Sequence, residues 1–263
     1  RDEEERSRID FEDGHMLILV DTPTVEVRPG RGFVYTTLPY GIILTEANIV
    51  TVCLKETALT RAFSDSPVKN FSTKKKNRMT LQLLYRNATL FLFYLREVDK
   101  ASSRVENELH LSMKNKELIQ MLGLEKSLVY FSTSLKGNEL VLEKLMRTQF
   151  VKAYPEDEEL LEDVIIENKQ AIEMSNIYRD ILSGTMDAFA SVISNNLNIV
   201  MKVLAVITIV MSIPTIVFSA YGMNLSAAGM PFSRTPWGFL IVIILSVVAS
   251  IIAAIFLSRK KFF

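Results

Sequence analysis

VLAVITIVMSIPTIVFSA at residues 203–220 and WGFLIVIILSVVASIIAAIFL at residues 237–257 decide how this chain folds, because neither stretch holds a charge over its 18 and 21 positions. At about 1.5 Å per residue each helix can cross a hydrocarbon core of roughly 30 Å, the first with help from its flanking turns. One such run would also suit a buried core helix. Two in succession, followed by Arg259, Lys260 and Lys261, read as transmembrane helices. A cleaved signal peptide does not compete for runs placed so far along the chain.

Charge is sorted in the same way. The chain has 263 residues with 30 bases and 30 acids, yet every acid lies at or before Asp187. Only five bases lie beyond it, which leaves 25 bases against 30 acids in residues 1–187. Formal neutrality therefore hides an acidic water-facing part and a basic membrane part. Lys202 precedes the first span and the basic tail Arg259, Lys260 and Lys261 follows the second, whereas the connecting loop holds only Arg234, so both termini are expected in the cytosol. Tyr221 and Trp237 fall where an aromatic belt is expected. One cysteine, Cys53, leaves no intrachain disulfide and no Cys-rich zinc site, and two histidines are too few for a His-rich centre. Low net charge without a basic stripe argues against nucleic acid as a partner. No Gly-rich phosphate loop, nucleophile with its base, or ligand cluster points to an enzyme, and Ser7, Arg8, His15 and His110 form no catalytic set.

The first span is not uniformly apolar. Asn198, Met201, Ala205, Thr208, Ser212, Thr215 and Ser219 recur three and four apart, along one stripe of a helix. Extended backwards through Ser194 and Ser191 to Asp187, that face stays small or polar for about nine turns. Two readings stand: the stripe lines a wet path, or it packs closely on another helix with hydroxyls bonded back to their own backbone. Two helices cannot enclose a water-filled path, so the first reading demands several copies of the chain about one axis. Pro214 removes an amide donor and clashes with the carbonyl of Val210, which predicts a bend near midspan.

Upstream, Pro155 and the acidic run Glu156, Asp157, Glu158 and Glu159 open a helix expected to continue from 156 to 219, roughly 95 Å of rod. Leu161, Ile165, Ile172, Ile177 and Ile181 are its expected buried positions. Residues 66–150 read as two more helices, broken near Gly123 and near Gly137-Asn138. Lys74-Lys75-Lys76-Asn77-Arg78 reads as a solvated face or, less simply, a lipid-headgroup contact. Residues 13–55 alternate apolar runs with turn signals, and Ile42 to Val52 reads as a β-hairpin. His110 is expected on a helix surface and Cys53 in a strand core.

The fold class is an α+β membrane protein: a small N-terminal α/β cytosolic domain, a long helical stalk and two C-terminal transmembrane helices. The divisions are an N-terminal domain at 1–65, cytosolic helices at 66–155, a stalk at 156–198, spans at 199–221 and 237–257 with an external loop at 222–236, and a basic tail at 258–263.

Directly after the first span stands Tyr221-Gly222-Met223-Asn224. With Pro214-Thr215 just before it, a second span after it, Met201-Lys202-Val203-Leu204 at the helix entrance and Tyr178 to Gly184 in the stalk, the chain resembles the CorA family of divalent-cation channels, with an N-terminal portion that looks truncated. The resemblance implies a homopentamer in the cell membrane that passes hydrated Mg²⁺ through a filter at Tyr221, Gly222, Met223 and Asn224. Mg²⁺ gives up water reluctantly, so neutral oxygens of Asn224 side chains and Gly222 carbonyls suit an ion that keeps its water shell. The resemblance also implies a regulatory metal at Asp163 and a cytosolic pore position at Asp187. Met201 and Leu204 are candidates for a narrow apolar gate. Alternatives of the same fold move Co²⁺, Ni²⁺ or Zn²⁺, and a further one is a membrane-anchored sensor or scaffold that conducts nothing. The loop departs from family members with acids after the Asn, carrying Leu225-Ser226-Ala227-Ala228 instead.

Overall fold

A computed structural model describes residues 5–12, 14–28, 32–64, 72–112, 115–148, 154–223, 229–232 and 235–259. The chain divides into two compact units, Arg1–Asp187 and Ala188–Phe263.

In the first unit four strands, β1 (Arg8–Glu12), β2 (His15–Arg28), β3 (Gly32–Leu44) and β4 (Ile49–Cys53), form an antiparallel meander in chain order. Glu12 faces His15 across a tight turn in which Gly14 takes a φ of 77°, a conformation that costs glycine least. The β3–β4 hairpin closes between Leu44 and Ile49, and the Thr45 side chain and backbone hold Asn48 across the turn. Ile9, Met16, Ile18, Val20, Tyr40, Ile42 and Leu44 alternate along the strands and are buried on one face, as period-two patterning requires. Strand β1 escapes the sequence reading because four of its five residues are exposed.

The helices cover that face. A short α1 (Ala58–Ser64) starts at a reciprocal Thr57–Thr60 cap, and α2 (Lys76–Ser112) and α3 (Asn115–Arg147) follow. Leu81 and Leu84 of α2 and Val141, Leu142 and Leu145 of α3 enter the same core. The expected breaks at Gly123 and Gly137-Asn138 do not occur; both sites lie inside α3. An interior glycine costs only about 1 kcal/mol, and burial of Met121, Leu124, Leu128, Phe131 and Leu135 around them offsets it. Gly137 has a use as well, since a β-carbon there would come 3.1 Å from Ser7 Oγ.

Helix α4 (Pro155–Tyr221) runs 67 residues with Pro214 inside it, and α5 (Gly238–Arg259) follows. Within the first unit its buried positions are Asp157, Leu161, Val164, Asn168, Ala171, Ser175 and Leu182, spaced as a heptad seam. Asn168 Nδ2 donates to the Leu135 carbonyl at 3.1 Å and Ser175 Oγ to the Leu128 carbonyl at 3.0 Å, so polar residues hold seam positions by bonding α3. Leu161 is buried and Ile165 partly so, but Ile177 and Ile181 are more than half exposed, contrary to expectation, because they lie off that seam. The basic run also departs from a simple solvated face. Lys76 Nζ donates to the Thr45 and Glu46 carbonyls, and Arg78 pairs with Glu156 and the buried Asp157 at the α4 N-terminus. Lys74 and Lys75 remain exposed. His110 is exposed on α2 and Cys53 is half-buried on β4.

Strand β1 pairs with β2 only as far as Leu19, and β4 with β3 only from Tyr40, so the outer parts of β2 and β3 continue as a two-stranded ribbon. At Asp21, where β1 has ended, the Asn138 carboxamide takes the place of a neighbouring strand: it accepts from the Asp21 amide at 2.8 Å and donates to the Asp21 carbonyl at 2.9 Å. Asn87 Nδ2 donates to the same carbonyl at 2.7 Å. Burial raises the Asp21 carboxyl above the ordinary aspartate value, and a hydrogen bond with Ser134 partly opposes this. A raised carboxyl pKa means the folded state holds its proton longer, so stability falls as pH climbs from the unfolded aspartate value of about 3.9 through the folded one. Asp21→Asn should therefore raise Tm at pH 7 by about 2–4 °C for each kcal/mol recovered, and raise it progressively less as pH falls from the folded value toward about 4, below which the increment is gone. Thermal unfolding against pH checks this, and an increment independent of pH would contradict it.

Candidate functional site

The second unit holds the membrane section of α4, the loop and α5. Both helices meet the length and apolarity of a membrane span. On α5, Gly238, Val242, Ser246 and Ser250 are buried at four-residue spacing, a strip of small side chains that lets another helix approach closely. Along the membrane section of α4 the half-buried apolar residues are Val203, Val206, Val210, Ile213, Pro214 and Val217, the matching strip. At 3.6 residues per turn, that strip and the small-polar stripe are centred about 140° apart around α4. Asn198, Met201, Leu204, Ala205, Thr208, Thr215 and Ser219 are all exposed, and Ser212 is half-buried at the stripe's edge. Helix α5 thus covers the valine face and leaves the polar one open.

Three hydroxyls along the stripe share one bonding pattern. Thr208 Oγ1 donates to the Leu204 carbonyl at 2.8 Å, Ser212 Oγ to the Thr208 carbonyl at 2.7 Å, and Thr215 Oγ1 to the Met211 carbonyl at 3.1 Å. With each proton given to its own helix, the oxygen offers only lone pairs outward. Waters around a cation point their hydrogens away from it, so such a surface accepts from a hydrated cation.

At its C-terminal end α4 closes on Gly222, whose amide donates to the Phe218 carbonyl at 2.9 Å and to the Ser219 carbonyl at 3.2 Å. Tyr221 Oη donates to the Pro231 carbonyl at 3.1 Å and ties the helix end to the far side of the loop. Met223 is exposed. Asn224, on which the filter expectation centres, lies outside the described residues, as do Arg234, Lys260 and Lys261. Arg259 is the exposed last residue of α5. Sequence reading misses the entry to α5: Phe232 takes a φ of 59°, its carbonyl accepts from the Thr235 amide and hydroxyl, and a β-carbon on Gly238 would collide with that carbonyl. Phe232 carries no signal of this, but Gly238 after Trp237 does, as a glycine opening an otherwise bulky apolar run.

Asp163 and Asp187 are both exposed on α4. Asp163 adjoins Glu162, which with Glu143, Arg147 and Lys169 lines a cavity of about 450 Å³ between α3 and α4. Among the described residues no three His, Cys, Asp or Glu side chains come together to hold a metal within one copy. A metal at Asp163 would need ligands from elsewhere.

These elements define a class: an α+β membrane protein whose sheet domain is backed by helices, one of which continues as the first of two apolar spans. The chain belongs to the family described as CorA-like Mg²⁺ transporter protein, whose model matches residues 1–260. It is 31% identical over 217 residues to the cobalt/magnesium transport protein CorA of Methanocaldococcus jannaschii, an alignment covering 77% of this chain and 63% of that one. The chain thus spans less than two thirds of that relative's length. The solved complete CorA magnesium transporter from the same organism superposes with a TM-score of 0.82 at 25% identity, over 100% of this chain and 81% of that one. The full-length CmaX structure shares the fold, with a TM-score of 0.70 at 16% identity, over 98% of this chain and 78% of that one.

The two faces of α4 make a direct test possible. With Cys53 replaced by serine, single cysteines at Thr208 or Thr215 should react with a membrane-impermeant thiol reagent at least about tenfold faster than cysteines at Val206, Val210 or Val217, because thiolate forms only where water reaches it. Equal rates on both faces would show that the polar stripe is dry.

Proposed function

We propose that this chain is one subunit of a homo-oligomeric channel, pentameric as the family resemblance implies, that passes hydrated Mg²⁺ across the cell membrane with both termini in the cytosol. The observation that carries the reading is the open polar face of α4, set opposite the face that α5 covers. Lipid is a poor neighbour for Asn198, Thr208 and Thr215, and several copies arranged about an axis turn those residues toward one another and toward water. Asp187 and Asn198 then stand at the cytosolic approach, Met201 and Leu204 form the apolar constriction that closes by dewetting, and Thr208, Ser212, Thr215 and Ser219 line the path outward.

At the outer mouth a ring of Asn224 carboxamides, with Gly222 carbonyls beneath and Tyr221 and Met223 bracketing them, accepts hydrogen bonds from the waters of the ion. No acid lies beyond Asp187, so the site attracts cations through dipoles alone and binds them loosely enough to release them. The membrane potential drives entry, worth roughly 2.3 kcal/mol per charge per 100 mV and about twice that for a divalent ion. Inside, divalent ions bridging Asp163 to acids of a neighbouring subunit would relieve their repulsion and hold the closed form. Co²⁺ is the second cargo to test, since the relative from Methanocaldococcus jannaschii is a cobalt/magnesium transport protein.

In vesicles with an internal Mg²⁺ indicator, an inert hexa-ammine cation should block the parent flux, as it mimics the hydrated ion. Asn224→Ala should lower flux about tenfold, the equivalent of about 1.4 kcal/mol of lost ion stabilisation. Absence of flux in the parent, or unchanged flux in the variant, would remove the channel or the filter respectively. Asp163→Asn should move inhibition by internal Mg²⁺ to higher concentration while leaving the flux at zero internal Mg²⁺ intact. An unaltered dose response would refute the regulatory role.

A further inference from the structure

Ser246, midway along α5, is fully buried, and its hydroxyl finds no hydrogen-bond partner among the described residues. That is costly within a hydrocarbon layer, where no bulk water can compensate. It is also unlike its neighbours. Thr208, Ser212, Thr215 and Ser250 each donate to the carbonyl four residues back, and Ser246 makes no such bond to Val242. It lies on the buried Gly238–Ser250 strip, and the other helix of its unit is the membrane section of α4.

Helix α4 carries the complementary deficit. Pro214 has no amide proton, so the Val210 carbonyl lacks its usual donor, and the pyrrolidine ring pushes that carbonyl outward. The nearest hydroxyls on α4 are committed elsewhere, Ser212 to Thr208 and Thr215 to Met211. Val210 belongs to the strip that α5 covers. The depths agree too: Val210 lies eleven residues before Tyr221 and Ser246 eight after Gly238, about 16 Å and about 12 Å from the two ends of the loop at the helical rise. A helical carbonyl points toward the C-terminal end, here outward, which narrows the difference.

We propose that Ser246 Oγ donates to the Val210 carbonyl when α4 bends at Pro214, a bond not made in the conformation described here. Ser246 is a positioning residue: it touches no ion and acts by stabilising the bent form of the helix that presents the polar stripe. The consequence for ion flux rests on the channel reading; the bond itself does not.

The test is a double-mutant cycle of Ser246→Ala and Pro214→Ala in the full-length protein in vesicles, read both as Mg²⁺ flux and as the midpoint of thermal unfolding. Alanine at 214 restores the amide donor, so Ser246→Ala should change flux about threefold in the parent and not at all beside Pro214→Ala, the size expected of one hydrogen bond between membrane helices. Ser246→Thr, which keeps the hydroxyl, should behave as the parent. An equal effect of Ser246→Ala in both backgrounds, or none in either, overturns the proposal. If the parent passes no ions, the channel reading falls while the unfolding cycle still decides the bond: coupling between the two sites supports it and strict additivity refutes it.

Discussion

Oxygen cannot be turned toward hydrocarbon without a partner, and the arrangement of the second unit follows from that constraint. A span made only of valine, isoleucine and leucine would be content in lipid on every side. Helix α4 is not such a span. The hydroxyls of Thr208, Ser212 and Thr215 satisfy themselves along their own backbone, but their lone pairs, with the Asn198 amide, still require a polar environment. The valine strip gives α5 an apolar surface to cover, and the small residues of α5 let the helices come close enough to cover it. The division of labour between the two faces of one helix thus leaves the polar face for another purpose. In the channel proposed above, that purpose is to line the ion path.

The first unit shows how a helix destined for the membrane is gripped in water. Seam residues of α4 pack on the helical layer over the sheet, but Asn168 and Ser175 occupy two of those positions and donate to carbonyls of α3. Such bonds fix axial position more sharply than leucines would, because a hydroxyl or amide one turn out of place is left buried and unpaired. At the start of the helix Arg78 meets Glu156 and Asp157, so the acidic first turn is held by an arginine as well as by the helix dipole.

The spans are legible because a chain rarely goes without charge over a full membrane thickness unless lipid surrounds it, and the Gly222-Met223-Asn224 context carries the family. The sheet is half legible. Strand β1 is mostly exposed and resembles a polar tail, whereas the β3–β4 hairpin announces itself by its apolar runs. Helix α3 misleads at Gly123 and Gly137 because local propensity is weak against burial from both sides. Ile177 and Ile181 suggest a core that Asn168 and Ser175 serve instead, since apolar periodicity cannot see a polar residue used as a seam. Within the membrane the sequence marks one stripe of α4 as polar. Which face α5 covers, and that Ser246 is buried without a partner among the described residues, are matters of packing that no single-helix pattern encodes.

The ribbon formed by the outer parts of β2 and β3 bears on how the chain avoids pairing with other strands through its sheet. Two strands without lateral neighbours expose rows of backbone donors and acceptors, the usual seed for sheet-to-sheet aggregation. Pro23 stands on β2 beyond the end of β1, and Pro39 on β3 next to the last residue that pairs with β4. Neither offers an amide to an incoming strand, and the backbone of Asp21, opposite Pro39, is already engaged by Asn138 and Asn87. The ribbon is therefore a poor template on both margins. A second copy of the chain therefore finds no free strand edge at this end of the sheet to extend.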